Sequence, residues 1–123
     1  MMNNDTFVEK LTAFECKNFE EDDLRGLAII GETIREVDFS YADLRDCEFK
    51  YCNFIDCYFT NSDLRGVQFN SCNIINTNLH GADCRNTNMK QTSMINCKIF
   101  DETIKDITFW FSDIDGKDPS DKK

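Results

Sequence analysis

The stretch ADLRD-CEFKY-CNFID-CYFTN-SDLRG, residues 42–66, sets Leu44, Phe49, Phe54, Phe59 and Leu64 five residues apart. The same phase runs outward from it in both directions. Upstream it takes in Phe39, Ile34, Ile29, Leu24, Phe19 and Phe14. Downstream it takes in Phe69, Ile74, Leu79, Cys84, Met89, Met94, Ile99, Ile104, Phe109 and Ile114. All 21 positions are apolar, in a chain where 41% of residues are. Chance produces such a run about once in 10⁸, so the period is a structural signal.

The position two residues before each of these is small throughout the middle of the chain. From 37 to 97 it reads Val37, Ala42, Cys47, Cys52, Cys57, Ser62, Val67, Cys72, Thr77, Ala82, Thr87, Thr92 and Cys97. A period of five matches neither a helix at 3.6 nor a strand at two. It matches a chain that turns a corner every five residues. On each side one large and one small side chain then point inward, and three positions face out.

ADLRD (42–46), SDLRG (62–66) and ADCRN (82–86) resemble the A(D/N)LXX signature of the pentapeptide-repeat family. The resemblance covers about residues 14–115 and implies an all-β fold, a right-handed quadrilateral parallel β-helix. Four pentapeptides make one square coil in that family, which implies a super-repeat of twenty. The sequence carries one: DDLRG (22–26), ADLRD, SDLRG and ADCRN recur every twenty residues, with ETIKD (102–106) following weakly. About five coils result, a stack roughly 24 Å tall at the ~4.8 Å spacing of paired strands. Lys17, Asp22, Leu27 and Glu32 stand where a small inward residue belongs. Residues 14–36 are therefore left open as irregular, wider or partly turned outward.

An open solenoid end exposes core and unpaired backbone. Thr6-x-x-Glu9 resembles a capping box, and Phe7, Val8 and Leu11 can share one apolar face, which predicts a short helix over about 6–13. No such helix is expected at the other end, where the chain leaves through GKDPSDKK. The organisation expected is a cap at 1–13, a solenoid at 14–115 and a disordered polar tail at 116–123.

Net charge is −9, which makes free nucleic acid and anionic membranes poor partners. Residues 1–48 carry 13 acids against 5 bases and residues 101–123 carry 7 against 4, whereas residues 49–100 carry 3 against 5. The acidity sits at the ends, and the middle is slightly basic. No apolar run approaches the ~18 residues of a membrane span. The N-terminus lacks a basic n-region and an apolar h-region. With seven cysteines, an odd number, a secreted disulfide framework is disfavoured and a cytoplasmic location expected.

Cys47, Cys52 and Cys57 invite a zinc reading, but each falls in an inward slot on a different side of the square. Six cysteines read as interior packing; Cys16 lies outside both inward positions. Cys52 and Cys72 stack within disulfide reach, although parallel Cβ vectors would strain the bond. His80, the single histidine, follows a core position and faces out, away from any thiol. No phosphate-binding glycine loop or paired-carboxylate motif is present. No catalytic residue, metal or cofactor is expected.

Surface columns are more informative, because every twentieth residue stacks on the last. Arg25, Arg45, Arg65, Arg85 and Lys105 form a cationic column beside Asp23, Asp43, Asp63 and Asp83. It reads as interleaved neutralisation or, alternatively, as an anion-binding strip. Ile55, Ile75 and Ile95 form an outward apolar stripe and a candidate interface. Trp110 and Phe111, beyond the inward Phe109, mark a second candidate interface at the uncapped end, suited to a homodimer through the C-terminal coil.

The expected function is a non-enzymatic protein-binding or scaffold module acting through a flat face or an end. The family resemblance also implies an alternative, since some members protect DNA gyrase from quinolones as acidic mimics of duplex DNA. A short stack, a slightly basic middle and an uninterrupted phase disfavour that alternative here.

Overall fold

The computed structural model describes residues 1–12 and 17–119. Phe14 and Cys16, and the tail residues 120–123, lie outside the described residues. One helix, α1 (Asn4–Thr12), precedes ten short strands. These are β1 (Ala28–Ile30), β2 (Thr33–Arg35), β3 (Glu48–Lys50), β4 (Asn53–Ile55) and β5 (Gln68–Asn70). They continue as β6 (Asn73–Ile75), β7 (Thr87–Lys90), β8 (Ser93–Ile95), β9 (Ile107–Trp110) and β10 (Asp113–Ile114), with a five-residue helix, α2 (Asp101–Lys105), between β8 and β9.

Odd and even strands form two parallel five-stranded sheets, β1-β3-β5-β7-β9 and β2-β4-β6-β8-β10. Every pairing has a register of twenty: Ile29 lies beside Phe49, Phe49 beside Phe69 and Phe69 beside Met89. Single-residue bridges complete the other two sides, one along Asn18, Asp38, Tyr58, Asn78 and Lys98 and one along Asp23, Asp43, Asp63 and Asp83. The result is the square parallel solenoid that the period predicts. The first coil is regular: Leu27 is buried and Ile29 pairs in phase with Phe49. Asp22 and Glu32 occupy their slots half-buried, while Lys17 is exposed.

Corners follow a third phase of five, offset from the two inward ones. Every fifth residue from Glu21 to Asn96 has positive φ, including Tyr41, Asp46, Tyr51 and Asn61. All five glycines fall in this phase, at 26, 31, 66, 81 and 116. Side chains other than glycine enter the left-handed region at a steric cost, which the coil-to-coil ladder offsets. Glu21, Tyr41 and Asn61 each donate a backbone N–H to the next coil, at 3.0, 3.0 and 2.9 Å.

Large inward residues stack in columns. Phe19, Phe39 and Phe59 lie with ring centroids 5.6 and 4.9 Å apart, and Phe54 meets Phe49 and Phe59 edge-on. α1 extends that column by one ring, because Phe7 is fully buried with its centroid 4.9 Å from Phe19. The helix starts earlier than the capping-box reading placed it. Asn3, not Thr6, caps it: Asn3 Oδ1 accepts the Thr6 N–H at 2.8 Å, as an N-cap asparagine does. Asn4 Oδ1 then accepts the Ala28 N–H at 2.9 Å, covering a donor on the edge of β1.

The last coil departs from expectation. α2 replaces its second side, so Ile104 is only half-buried. Glu102 falls here in the inward slot that is small in the shaft, where burying an unpaired carboxylate is costly. Helical backbone leaves Glu102 exposed. Gly116 and Lys117, assigned by the sequence to a disordered tail, instead close a tight turn. Ile114 and Lys117 exchange backbone hydrogen bonds at 2.9 and 3.0 Å around Asp115-Gly116, a favoured two-residue turn.

Candidate functional site

The Arg/Asp side of the square is a neutral ladder. In each coil the arginine fork closes on the aspartate two residues before it. In the Arg65–Asp63 pair, Nε donates to Oδ1 at 2.8 Å and Nη2 to Oδ2 at 2.6 Å. Arg25, Arg45 and Arg85 repeat this geometry. Three of the four forks also lean on the next coil's aspartate, with Arg25, Arg45 and Arg65 at 3.8, 3.7 and 3.8 Å from Asp43, Asp63 and Asp83. The fork beside each of Asp43, Asp63 and Asp83 holds its carboxyl below the ordinary range, and pairing pushes each arginine further up. Lys105 leaves the column, since it ends α2. Of the proposed anion strip, four cations are thus already engaged by carboxylates.

The cysteine slots have a second role that their size alone does not show. Cys57 Sγ donates to Ile34 O at 3.2 Å, Cys72 Sγ to Phe49 O at 3.3 Å and Cys97 Sγ to Ile74 O at 3.2 Å. Thr92 and Ser112 hydroxyls do the same for Phe69 O and Met89 O at 3.1 and 2.9 Å. Each reaches a carbonyl 23 residues earlier, on the coil above. Burial pushes Cys47 and Cys84 up to about 12 and Cys57 and Cys72 up to about 11, so these thiols stay protonated and unreactive. Cys52 and Cys72 are both free thiols. His80 is exposed, its ring centroid 4.3 Å from that of Phe100.

The isoleucine column is brought together as expected. Ile55 pairs in register with Ile75, and Ile75 with Ile95, on the outer face of the even-numbered sheet. Ile55 and Ile75 are half-buried and Ile95 is exposed. An amide ladder flanks them, in which Asn73 Nδ2 donates to Asn53 Oδ1 at 2.9 Å and Asn96 Nδ2 to Asn76 Oδ1 at 2.8 Å.

At the C-terminal end Trp110 is 57% and Phe111 89% exposed. Phe111 occupies a positive-φ corner, which swings its ring off the solenoid. Together they border a shallow groove of about 390 Å³ on the odd-numbered sheet, lined also by Gln68, Asn70, Asn88 and Lys90. Beneath them Ile99, Phe109 and Ile114 are only half-buried. Among the described residues no helix is long and apolar enough to cross a membrane.

Square coils, a twenty-residue register and two inward side chains per side define a repeat solenoid that presents flat faces and two ends. The family model for pentapeptide repeats matches in eight copies over residues 38–74, 52–91 and 72–99, and the chain belongs to that family. No curated protein sequence matches it. Among solved structures it resembles a trypsin-treated variant of QnrB1, a plasmid-mediated fluoroquinolone resistance protein, at 25% identity and TM-score 0.56. That match covers 80% of this chain and 58% of the other. It also resembles HetL, a pentapeptide repeat protein involved in heterocyst differentiation regulation in the cyanobacterium Nostoc sp. strain PCC 7120, at 21% identity and TM-score 0.50. There the coverage is 79% of this chain and 47% of HetL. The chain thus spans less than two thirds of either relative.

Proposed function

We propose that this chain is a non-enzymatic protein-binding module that docks its partner on the C-terminal end of the solenoid. One observation carries this reading: two large aromatic side chains, Trp110 and Phe111, stand in solvent above a half-buried core. Aromatic residues concentrate binding energy at interfaces, and covering these two would remove a large apolar area from water. Lys90 beside Trp110 favours an acidic contact on the partner. A second copy meeting end to end is one form such docking takes. Free, protonated thiols suit a reducing compartment such as the cytoplasm.

Trp110 is the single tryptophan, so its emission reports directly on this surface. Sedimentation of the chain and of the Trp110→Ala, Phe111→Ala double variant tests the end as a contact. We expect a concentration-dependent mass that the double variant abolishes, with the Trp110 emission of the parent chain shifting blue as it associates; a parent mass and emission that do not change with concentration overturn the reading.

A second reading, a topoisomerase-interacting DNA mimic conferring quinolone tolerance, draws support from the likeness to the fluoroquinolone resistance protein and from the net charge of −9. The neutral Arg/Asp ladder and the slightly basic middle count against it. A gyrase supercoiling assay with and without a quinolone separates the two readings, and no effect at micromolar protein eliminates the mimic.

A further inference from the structure

We propose that the outer face of the even-numbered sheet is a self-association surface, on which a second copy of this chain lies antiparallel across a two-fold axis through Ile75. The column on this face has a polarity that its three isoleucines alone do not show. Arg35 precedes it, paired in register with Ile55. The Asp115 carboxylate follows it, its Oδ1 accepting the Asn96 N–H at 2.8 Å just past Ile95. Both charged residues are exposed, and Arg35 has no ion-pair partner among the described residues. The column therefore reads plus, apolar, apolar, apolar, minus.

A two-fold contact maps this column onto itself in one of two ways. With both copies running the same way, Arg35 faces Arg35 and Asp115 faces Asp115, and like charges repel. Reversed, Arg35 faces Asp115 of the second copy, Ile55 faces Ile95, and Ile75 faces Ile75. Charge complementarity selects the reversed arrangement. The flanking column agrees: reversal sets Asn73 against Asn73, and an amide can both donate to and accept from another amide. Four coil intervals make the face about 19 Å tall. That is small beside a permanent dimer interface, so the association is weak and reversible.

Analytical ultracentrifugation over a wide concentration range tests this in the Trp110→Ala, Phe111→Ala background, where any end-to-end contact has been removed. We expect reversible dimers there, weakened about tenfold or more by Ile75→Lys. Arg35→Glu and Asp115→Lys should each weaken the dimer, and combining them should restore it relative to Asp115→Lys alone. Loss of the Asn96 cap is common to those two variants and cancels in that comparison. A monomer at every concentration, insensitivity to Ile75→Lys, or a double variant as weak as the single ones overturns the proposal. Because the aromatic pair is absent throughout, its failure leaves the docking role of the C-terminal end untouched, and the reverse also holds.

Discussion

The two ends of this solenoid face the same physical problem and treat it differently. At the N-terminal end, α1 inserts Phe7 into the phenylalanine column, Asn4 occupies the Ala28 N–H, and the Met2 N–H donates to Asp23 O at 3.2 Å. The core and part of the edge are covered. At the C-terminal end, Ile99, Phe109 and Ile114 remain half-buried, and Trp110 and Phe111 point outward. Among the described residues, the Asp115-Gly116 turn folds back there. In a solenoid stability is a sum over neighbouring coils, and each terminal coil has a neighbour on one side only. At the C-terminal end the aromatic pair stays in solvent, and that is the surface the proposed docking would use.

Opening the sealed end should have the largest effect. Phe7→Ala removes a fully buried ring, and we expect a loss of about 3–5 kcal/mol in urea unfolding. A loss under about 1 kcal/mol would mean that α1 is not part of the cooperative core. A comparison of two glycines comes next. Gly31, in the first coil, has open space around an added Cβ, whereas at Gly66 that atom would run into the side chain of Asp46 on the coil above. Gly31→Ala should cost the left-handed penalty alone, about 1–2 kcal/mol, and Gly66→Ala that penalty plus the small cost of swinging the exposed Asp46 carboxylate aside. Equal costs would show that the shaft gives way as easily as its end.

The Arg/Asp ladder predicts a smaller, pH-dependent term. Asp43, Asp63 and Asp83 are held below the ordinary range by their arginines, so the folded chain binds these protons less readily than the unfolded one. Their contribution is complete above about pH 4 and is lost as pH falls through the lowered values. Asp63→Asn should therefore flatten the acid limb of a Tm-versus-pH profile; an unaltered limb would place the acid sensitivity elsewhere. The smallest change in stability belongs to the open end. Trp110→Ser with Phe111→Ser should shift unfolding by no more than about 0.5 kcal/mol while abolishing docking. A large destabilisation would make the aromatic pair a cap instead.

Much of this architecture is legible in the chain. The apolar phase and the small phase two residues before it specify the square coil, the register of twenty and the faces carrying Ile75 and Arg65. The corner phase is just as legible, since all five glycines share it, but its meaning depends on knowing that a corner lies there. The donors at Cys52, Cys57, Cys72, Thr87, Thr92, Cys97 and Ser112 share one chemistry, yet the carbonyls they meet 23 residues earlier belong to another coil. α2 was harder still. Glu32 and Glu102 both place a carboxylate in the inward slot, but the coil bends into a helix only at Glu102. Which one breaks the pattern depends on what is stacked above and below it. The outward position of Trp110 and Phe111, by contrast, follows from the phase that turns Phe109 inward.

The register of twenty gives the molecule a reading frame in space. Removing one whole coil from the shaft, such as residues 62–81, would shorten the rod and leave every later side chain on its original face. Removing five residues would keep every large side chain inward but turn all that follows by a quarter revolution. Ile75 and Ile95 would then sit under Lys50 instead of Ile55, with the fold intact and the stripe cut. Lengths that differ by multiples of twenty preserve a surface in this architecture, and other multiples of five permute it.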